Sequence, residues 1–157
     1  MASEKINECI VLTNLYYSVE DNTWVRVNDD GTVTIGMTDI AQSLAGPILH
    51  ARPKKAGVTG KKGRPIATVE SGKWVGPVKS PMTGEIVEVN ENLGGDAQIV
   101  NRSPYRDGWI LKMKPENLDE DLKAMVTGDA AVEAYRAKIT ADGVTCTHIE
   151  GSDEYTD

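Results

Sequence analysis

Phenylalanine is absent from these 157 residues, and three tryptophans and five tyrosines supply all the aromatic bulk. A core built from such a chain must draw mostly on small and aliphatic side chains. Cysteine is nearly as scarce. Cys9 and Cys146 stand at opposite ends, which is read as excluding a disulfide framework and a paired-cysteine metal site. The two histidines, His50 and His148, fall in no ligand-spaced cluster, so no metal is expected and both are read as structural or surface residues. No apolar run approaches the ~20 residues of a membrane helix. The opening Met1-Ala2-Ser3-Glu4-Lys5 lacks the apolar stretch of a secretory signal. A nucleophile elbow, a zincin motif and a P-loop are all missing, and the Gly57–Gly63 stretch lacks the Gly-Lys-Ser/Thr ending of a phosphate cradle. A net charge of −7 and a pI near 4.9 argue against a nucleic-acid binder. The expectation is a cytoplasmic, monomeric protein that neither binds a membrane nor catalyses a reaction itself.

What is present is an ordinary globular composition, 39% apolar and 26% charged, punctuated by 15 glycines and seven prolines. So many turn residues suggest a β-rich chain. Charge is placed unevenly. Arg52, Lys54, Lys55, Lys61, Lys62 and Arg64 follow one another with no acid between them, whereas the stretch from Glu116 to the end is strongly acidic. The basic run is read as a possible docking face.

Residues 1–15 show no clear period and are expected to form an N-terminal arm. Trp24-Val25-Arg26-Val27 and Thr32-Val33-Thr34-Ile35 alternate around Asn28-Asp29-Asp30-Gly31, a hairpin that puts Val25, Val27, Val33 and Ile35 on one buried face. Asp39 with Gln42 reads as a helix start, Ile40 and Leu44 lie one turn apart, and Gly46-Pro47 stops it. Strands follow at Ile66–Glu70, at Glu85–Val89 (read as buried on both faces) and at Gly108–Lys114. Asn117 reads as the cap of a helix that Gly128 ends. Asp129 reads as the cap of a second, with Val132, Tyr135 and Ile139 on one face and Asp142-Gly143 at its close. Residues 16–140 are therefore expected to form the domain, and 141–157 an acidic, partly disordered tail. The strand spacing predicts a small sandwich or barrel. The expected core is Val25, Val27, Val33, Ile35, Ile66, Val69, Ile86, Val89 and Ile110.

One lysine is unusual. Lys73 falls between a strand ending in Thr68-Val69-Glu70 and the turn-rich Gly76-Pro77-Val78-Lys79-Ser80-Pro81, where a β-turn holds its ammonium away from the domain for acylation.

The run from Thr23-Trp24 through Asp30-Gly31-Thr32-Val33-Thr34-Ile35-Gly36-Met37-Thr38-Asp39-Ile40-Ala41-Gln42 resembles the H protein of the glycine cleavage system. So do Ala67-Thr68-Val69-Glu70-Ser71-x-Lys73, Ser80-Pro81-Met82-Thr83-Gly84-Glu85-Ile86-Val87-Glu88-Val89-Asn90, and Pro104-Tyr105-x-x-Gly108-Trp109-Ile110-Leu111-Lys112-Met113-Lys114-Pro115. The resemblance spans roughly Tyr16 to Tyr135. It implies a β-rich α+β fold, the lipoyl/biotinyl-type barrel-sandwich hybrid, with a short helix after the first hairpin and helices at the C-terminus. It implies lipoic acid in amide linkage to Lys73, with Gly57, Glu70 and Gly84 at positions that help lipoylating enzymes recognise the site. A biotin carrier is the competing reading, because Lys112-Met113-Lys114 is similar to its methionine-flanked lysine, but that run lies within a predicted strand.

The sequence departs from the glycine-cleavage pattern in three places. The family's His-Glu-Trp is Asn22-Thr23-Trp24 here, the acidic residue after the lysine is replaced by Gly76-Pro77, and an acidic loop has become His50-Ala51-Arg52-Pro53-Lys54-Lys55. The segment Glu70-Ser71-Gly72-Lys73-Trp74-Val75-Gly76-Pro77-Val78-Lys79 is more similar to H-like lipoate-binding proteins of sulfur oxidation. That resemblance implies an arm carrying a sulfur-bound intermediate, with a heterodisulfide-reductase-like complex and sulfur-transfer proteins as partners. Glycine cleavage is the alternative, with glycine decarboxylase, aminomethyltransferase and dihydrolipoamide dehydrogenase as partners.

Overall fold

A computed structural model describes residues 3–155. The chain opens with β1 (Ser3–Ile6) and β2 (Cys9–Leu12), an antiparallel hairpin whose turn residues Asn7 and Glu8 both have positive φ. Two left-handed turn residues suit the twist of a tight hairpin. The segment read as an arm is thus mainly this hairpin. Its sequence shows no clean period because all four β2 residues are buried.

Three strands follow: β3 (Tyr16–Ser18), β4 (Thr23–Val27) and β5 (Val33–Met37). The β4–β5 pairing sets Val25 opposite Ile35 and Val27 opposite Val33, the register the alternation predicts. Val27 itself corrects the expected core. It ends β4 beside the turn and is 40% exposed, while every residue of β5 is buried. Helix α1 (Asp39–Ala45) begins one residue later than its capping side chain, because Thr38 is the cap and its Oγ1 accepts from Ala41 N at 3.2 Å. Gly46 closes it at φ 81°, and Leu44 points outward.

β6 (Ile48–Pro53), β7 (Thr59–Gly60), β8 (Pro65–Ser71), β9 (Val75–Lys79) and β10 (Gly84–Val89) make up the centre. β10 alternates and is not buried on both faces: Ile86 points inward, while Glu85 and Val87 face outward. A short 3-10 turn, Glu91–Gly94, and α2 (Ile99–Arg102) precede β11 (Leu111–Pro115). α3 (Leu118–Lys123) runs into β12 (Val126–Thr127), which pairs with β3, and α4 (Gly128–Asp142) follows. Gly128 therefore opens a helix and does not close one. Thr127, not Asp129, is the cap residue of α4, and Asn117 makes no capping side-chain bond. Val132, Tyr135 and Ile139 are buried on one face of α4, and Gly143 stops it with positive φ, both as predicted.

The fold class is as expected: a mostly β barrel-sandwich with a short helix after the first long hairpin and helices at the end. A seven-stranded sheet ordered β12-β3-β4-β5-β11-β10-β7 faces a three-stranded sheet ordered β6-β8-β9. An aliphatic core fills the space between them, from Val25, Val33 and Ile35 on one side to Ile48, Ile66 and Val69 on the other. Val89 contributes only half-buried. A second cluster gathers the buried aromatics Tyr17, Trp24, Tyr105 and Tyr135 with β2 and α4.

The residues after α4 run back along the first hairpin. Cys146 N donates to Asn7 O at 3.0 Å, and Ser3 Oγ donates to Tyr155 O at 3.2 Å. The tyrosine ring meets Tyr105 edge-on at 5.7 Å, so the segment expected as a partly disordered tail packs on the aromatic cluster through Val144 to Tyr155. Met1, Ala2, Thr156 and Asp157 of the expected arm and tail lie outside the described residues. The cysteines also correct the sequence reading, because Cys9 and Cys146, 137 residues apart in the chain, form a disulfide. Separation in sequence is a poor guide where both chain ends fold back onto one face.

Candidate functional site

The β8–β9 hairpin is well anchored. Its strands pair from Pro65↔Lys79 to Glu70↔Val75, and β6 pairs along the other edge of β8. The connecting turn is Gly72-Lys73-Trp74, closed by Ser71 N donating to Trp74 O at 2.7 Å. Ser71, nearly buried, does two further jobs. Its hydroxyl donates to Ala45 O, the last carbonyl of α1, and accepts from Lys73 N at 3.3 Å. The turn is therefore tied to the helix end, while Gly72, Lys73 and Trp74 are exposed.

Lys73 lays its aliphatic stem over Gly46, where an added Cβ would sit 3.0 Å from Lys73 Cε. Its ammonium belongs to none of the ion pairs among the described residues. Next to it, the Trp74 indole covers Gly76 so closely that a Cβ there would come within 2.3 Å of the ring. Only glycine admits the indole in that position.

Trp74 also forms one wall of a groove of about 200 Å³ between α1 and the hairpin. Met37, Ala41, Leu44, Pro77 and Val78 supply its apolar lining, and Asp21, Asn22 and Thr23 its polar part. Thr23 Oγ1 is buried with no hydrogen-bond partner, the sole such side-chain atom among the described residues. Around the turn, Leu44, Leu49 and Val75 are 51%, 53% and 65% exposed, an apolar rim.

The predicted site residues divide between the two ends of this hairpin. Glu70 stands beside the turn, opposite His50 on β6 and Val75 on β9. Gly57, Gly84 and the basic run from Lys54 onward lie near the other end, about 20 Å away along the six residue steps of β8, while Arg52 stands midway, opposite Thr68. Gly57 has φ 94° and donates to Ile86 O at 2.7 Å. Gly84 lies so close to β11 that a Cβ would meet Lys114 O at 2.3 Å. Both glycines thus carry a backbone requirement of the fold itself. Arg52, Lys54, Lys55, Lys61, Lys62 and Arg64 are all exposed. Of the six, only Lys62 forms an ion pair among the described residues, 3.8 Å from Asp121. Lys112-Met113-Lys114 lies inside β11, not at a turn.

Sequence reading missed a polar cluster behind the lysine turn. Asp39, buried at the start of α1, accepts from Ile10 N and Gln42 Nε2 at 2.9 Å each, and His148 Nε2 lies 2.8 Å from its carboxylate. Asn101 Nδ2 donates to Gln42 Oε1 at 3.1 Å and to Gly46 O at 2.8 Å, while its Oδ1 accepts from Ile48 N at 2.9 Å. No local spacing links residues so far apart in the chain. Among the described residues no group of three or more His, Cys, Asp and Glu side chains is placed to hold a metal, and no helix is long and apolar enough to cross a membrane.

Comparison with known proteins gives a consistent result. A family profile described as glycine cleavage H-protein matches residues 15–138. Glycine cleavage system H protein 2 of Aquifex aeolicus is 46% identical over 147 residues, covering 92% of this chain and 91% of its own length. Probable glycine cleavage system H protein 2 of Saccharolobus solfataricus is 42% identical, covering 91% of this chain and 97% of its own. A crystal structure of a glycine cleavage system H protein from Mycobacterium marinum superposes with a TM-score of 0.70 at 26% identity, over 85% of this chain and all of that one.

Proposed function

This chain belongs to the glycine cleavage H-protein family, and on that premise we propose that Lys73 is its lipoyl attachment site and the protein a lipoylated carrier. Glycine cleavage H proteins carry lipoate covalently on a lysine. The observation that carries the assignment is an exposed lysine at the tip of an anchored hairpin, with no ion pair to hold it and an apolar groove alongside. When attached, the group supplies a dithiolane whose sulfur takes up and releases a cargo. The chain's own part is mechanical. Ser71 fixes the turn, Gly46 gives the lysine stem a floor, and Met37, Leu44 and Trp74 offer an apolar rest that shields the arm from water. A carrier of this kind needs no general acid or base.

The relatives' names support the glycine-cleavage reading best: the arm takes an aminomethyl group from glycine decarboxylase to aminomethyltransferase, and dihydrolipoamide dehydrogenase restores it. One observation favours a sulfur-bound cargo delivered to a heterodisulfide-reductase-like complex. Thr23 and Pro77, at two of the departures from the family pattern, line the same groove, leaving Asp21 as its one carboxylate. Such a groove gives an ammonium cargo little compensation. Residues 16–140 are assigned the carrier role, with Gly57, Glu70 and Gly84 as the features lipoylating enzymes read. Arg52, Lys54, Lys55, Lys61, Lys62 and Arg64 are assigned to an acidic partner surface, on a monomer in the cytoplasm.

Intact mass after co-expression with lipoylating enzymes is expected to show one added lipoyl group, absent in Lys73→Arg. Modification at Lys79 or Lys112 overturns the site. Incubating the lipoylated protein with glycine decarboxylase and labelled glycine then separates the pathways. Label on the arm supports glycine cleavage, and loading only by a sulfur-donating protein supports the second reading.

A further inference from the structure

The two chain ends that flank the family match meet at one point. Cys9 of β2 and Cys146 beyond α4, both buried, are joined there. Immediately past the bond the chain turns onto α1. Gln42 Nε2 donates to Thr147 O at 2.9 Å, Thr147 N donates to Ser43 Oγ at 2.9 Å, and His148 reaches the buried Asp39 carboxylate. The far side of α1 is held as firmly. Asn101 binds Gln42 and Gly46, and Ala45 O accepts from the hydroxyl of Ser71, which also receives the Lys73 amide. An unbroken series of hydrogen bonds thus runs from the residues beside Cys146, through the whole of α1, to the turn that presents Lys73. Apart from these bonds to α1, residues 143–150 are tied to the first hairpin by Cys146 N on Asn7 O and Asn7 Nδ2 on Val144 O, both next to the cystine. Cys146 is the one buried residue of that stretch, with Val144 and Ile149 half-buried.

We propose that the Cys9–Cys146 disulfide is a redox-operated brace on the Lys73 turn. Closed, it pins Thr147 and His148 against α1, and α1 in turn fixes the floor and the anchor of the turn. Opened, it releases the tail and lets α1 and the turn loosen together. That the turn matters to function rests on the reading of Lys73 as the carrier lysine. The brace itself does not depend on that reading. Its opening agent is a dithiol. After local lifting of the tail, one thiolate attacks a cystine sulfur and displaces the other as thiolate. The second thiol then closes on the mixed disulfide. The dithiol leaves oxidised as a cyclic disulfide, and Cys9 and Cys146 end as two thiols, a balanced two-electron exchange.

The test uses the full chain without its lipoyl group, so that dithiothreitol acts on the cystine alone, with amide hydrogen exchange as readout. Reduction is expected to raise exchange by about ten-fold in residues 39–48 and 71–75 as well as in 143–150, read at labelling times short enough that β10 and β11, which open only with the whole fold, stay protected. His148→Ala and Gln42→Ala, with the cystine closed, are expected to loosen 71–75 in the same way and keep the readout available should cysteine variants fail to fold. A turn that stays protected while the tail opens refutes the brace. So does equal exchange in every strand at those labelling times, which would mark unfolding of the whole chain and not loosening of the turn. A cystine that stays closed in excess dithiothreitol refutes its redox operation. Failure of the Lys73 assignment shows separately, in the lipoylation mass.

Discussion

The two buried clusters of this protein are built on opposite plans. The cluster between the sheets is wholly aliphatic among its buried members, from Val25 and Ile35 through Ile66 and Val69 to Ile86 and Met113. The cluster under the first hairpin and α4 holds Tyr17, Trp24, Tyr105 and Tyr135, and each aromatic polar atom is spoken for. Trp24 Nε1 donates to Pro104 O at 2.9 Å and to Met37 O at 3.0 Å, and Tyr17 Oη bonds both Leu12 N and Leu12 O. Tyr105 Oη donates to Ile10 O and accepts from Asp39 N, and burial pushes its phenol well above the usual range, so it stays a neutral donor and acceptor. The first cluster is held by area removed from water, which is tolerant of detail. The second is held by directed bonds and a covalent tie, and the ties of Trp24 to Pro104, Tyr105 to Ile10 and Asp39, and Cys9 to Cys146 fasten parts of the chain far apart in sequence. The carrier barrel is thus a packed frame, and the cap over its end is a fastened one.

The largest effect expected from breaking this contrast is on the covalent tie. Cys146→Ser removes a crosslink spanning 137 residues, and loop-closure entropy puts the loss at about 4–5 kcal/mol. Denaturant unfolding of oxidised wild type and variant measures it. A difference below 1 kcal/mol would mean that the chain ends hold together without the bond.

Next come the aliphatic positions. Ile35 pairs with Val25 on one side and Leu111 on the other and is fully buried between the sheets. Ile35→Ala is expected to cost about 3–4 kcal/mol, as large-to-small changes in tight cores do. Tyr105→Phe is the matching probe of the cap. It keeps the ring but strands Ile10 O and Asp39 N, at an expected cost of about 2 kcal/mol. Thermal melts of both variants rank the two. A harmless Tyr105→Phe would show the cap to be held by area alone, like the barrel.

The same contrast explains what could be read from the chain. Alternation found the β4–β5 register, because a strand packed on one face writes its burial every second residue, while Ile66, Val69 and Ile86 were legible as core residues only by being apolar within short strands. It failed at β2, which is buried on both faces, at β10, which alternates although its sequence reads as buried on both, and at Val27, where a strand end escapes the core. The lysine turn was legible because Gly72 and Gly76-Pro77 bracket it and Ser71 precedes it. The basic run was legible as charge but not as position, since only the pairing of β6 with β8 places Arg52 midway along the hairpin and the residues after it toward the end remote from Lys73. The disulfide and the Asp39–His148 contact had no signal at all. Residues 109 apart in the chain share no local pattern, and the fold alone brings them together.

The smallest expected effect on stability is at the site itself, and it sharpens the comparison most. Lys73 is exposed, outside both clusters, and unpaired with any acid. Lys73→Ala should therefore shift unfolding by no more than about 0.5 kcal/mol, the usual range for surface positions away from special features. The same change should remove all lipoyl mass. Its neighbour behaves differently. Ser71→Ala leaves Ala45 O without its donor and frees the turn from α1, with an expected loss of about 1–2 kcal/mol while Lys73 is still present. Measured side by side, the pair separates the residue proposed to carry the group from the residue that holds its turn in place. A destabilising Lys73→Ala would mean that the lysine stem over Gly46 is part of the packing, and a lysine held in that way could not swing free of the surface as the proposed carrier role requires.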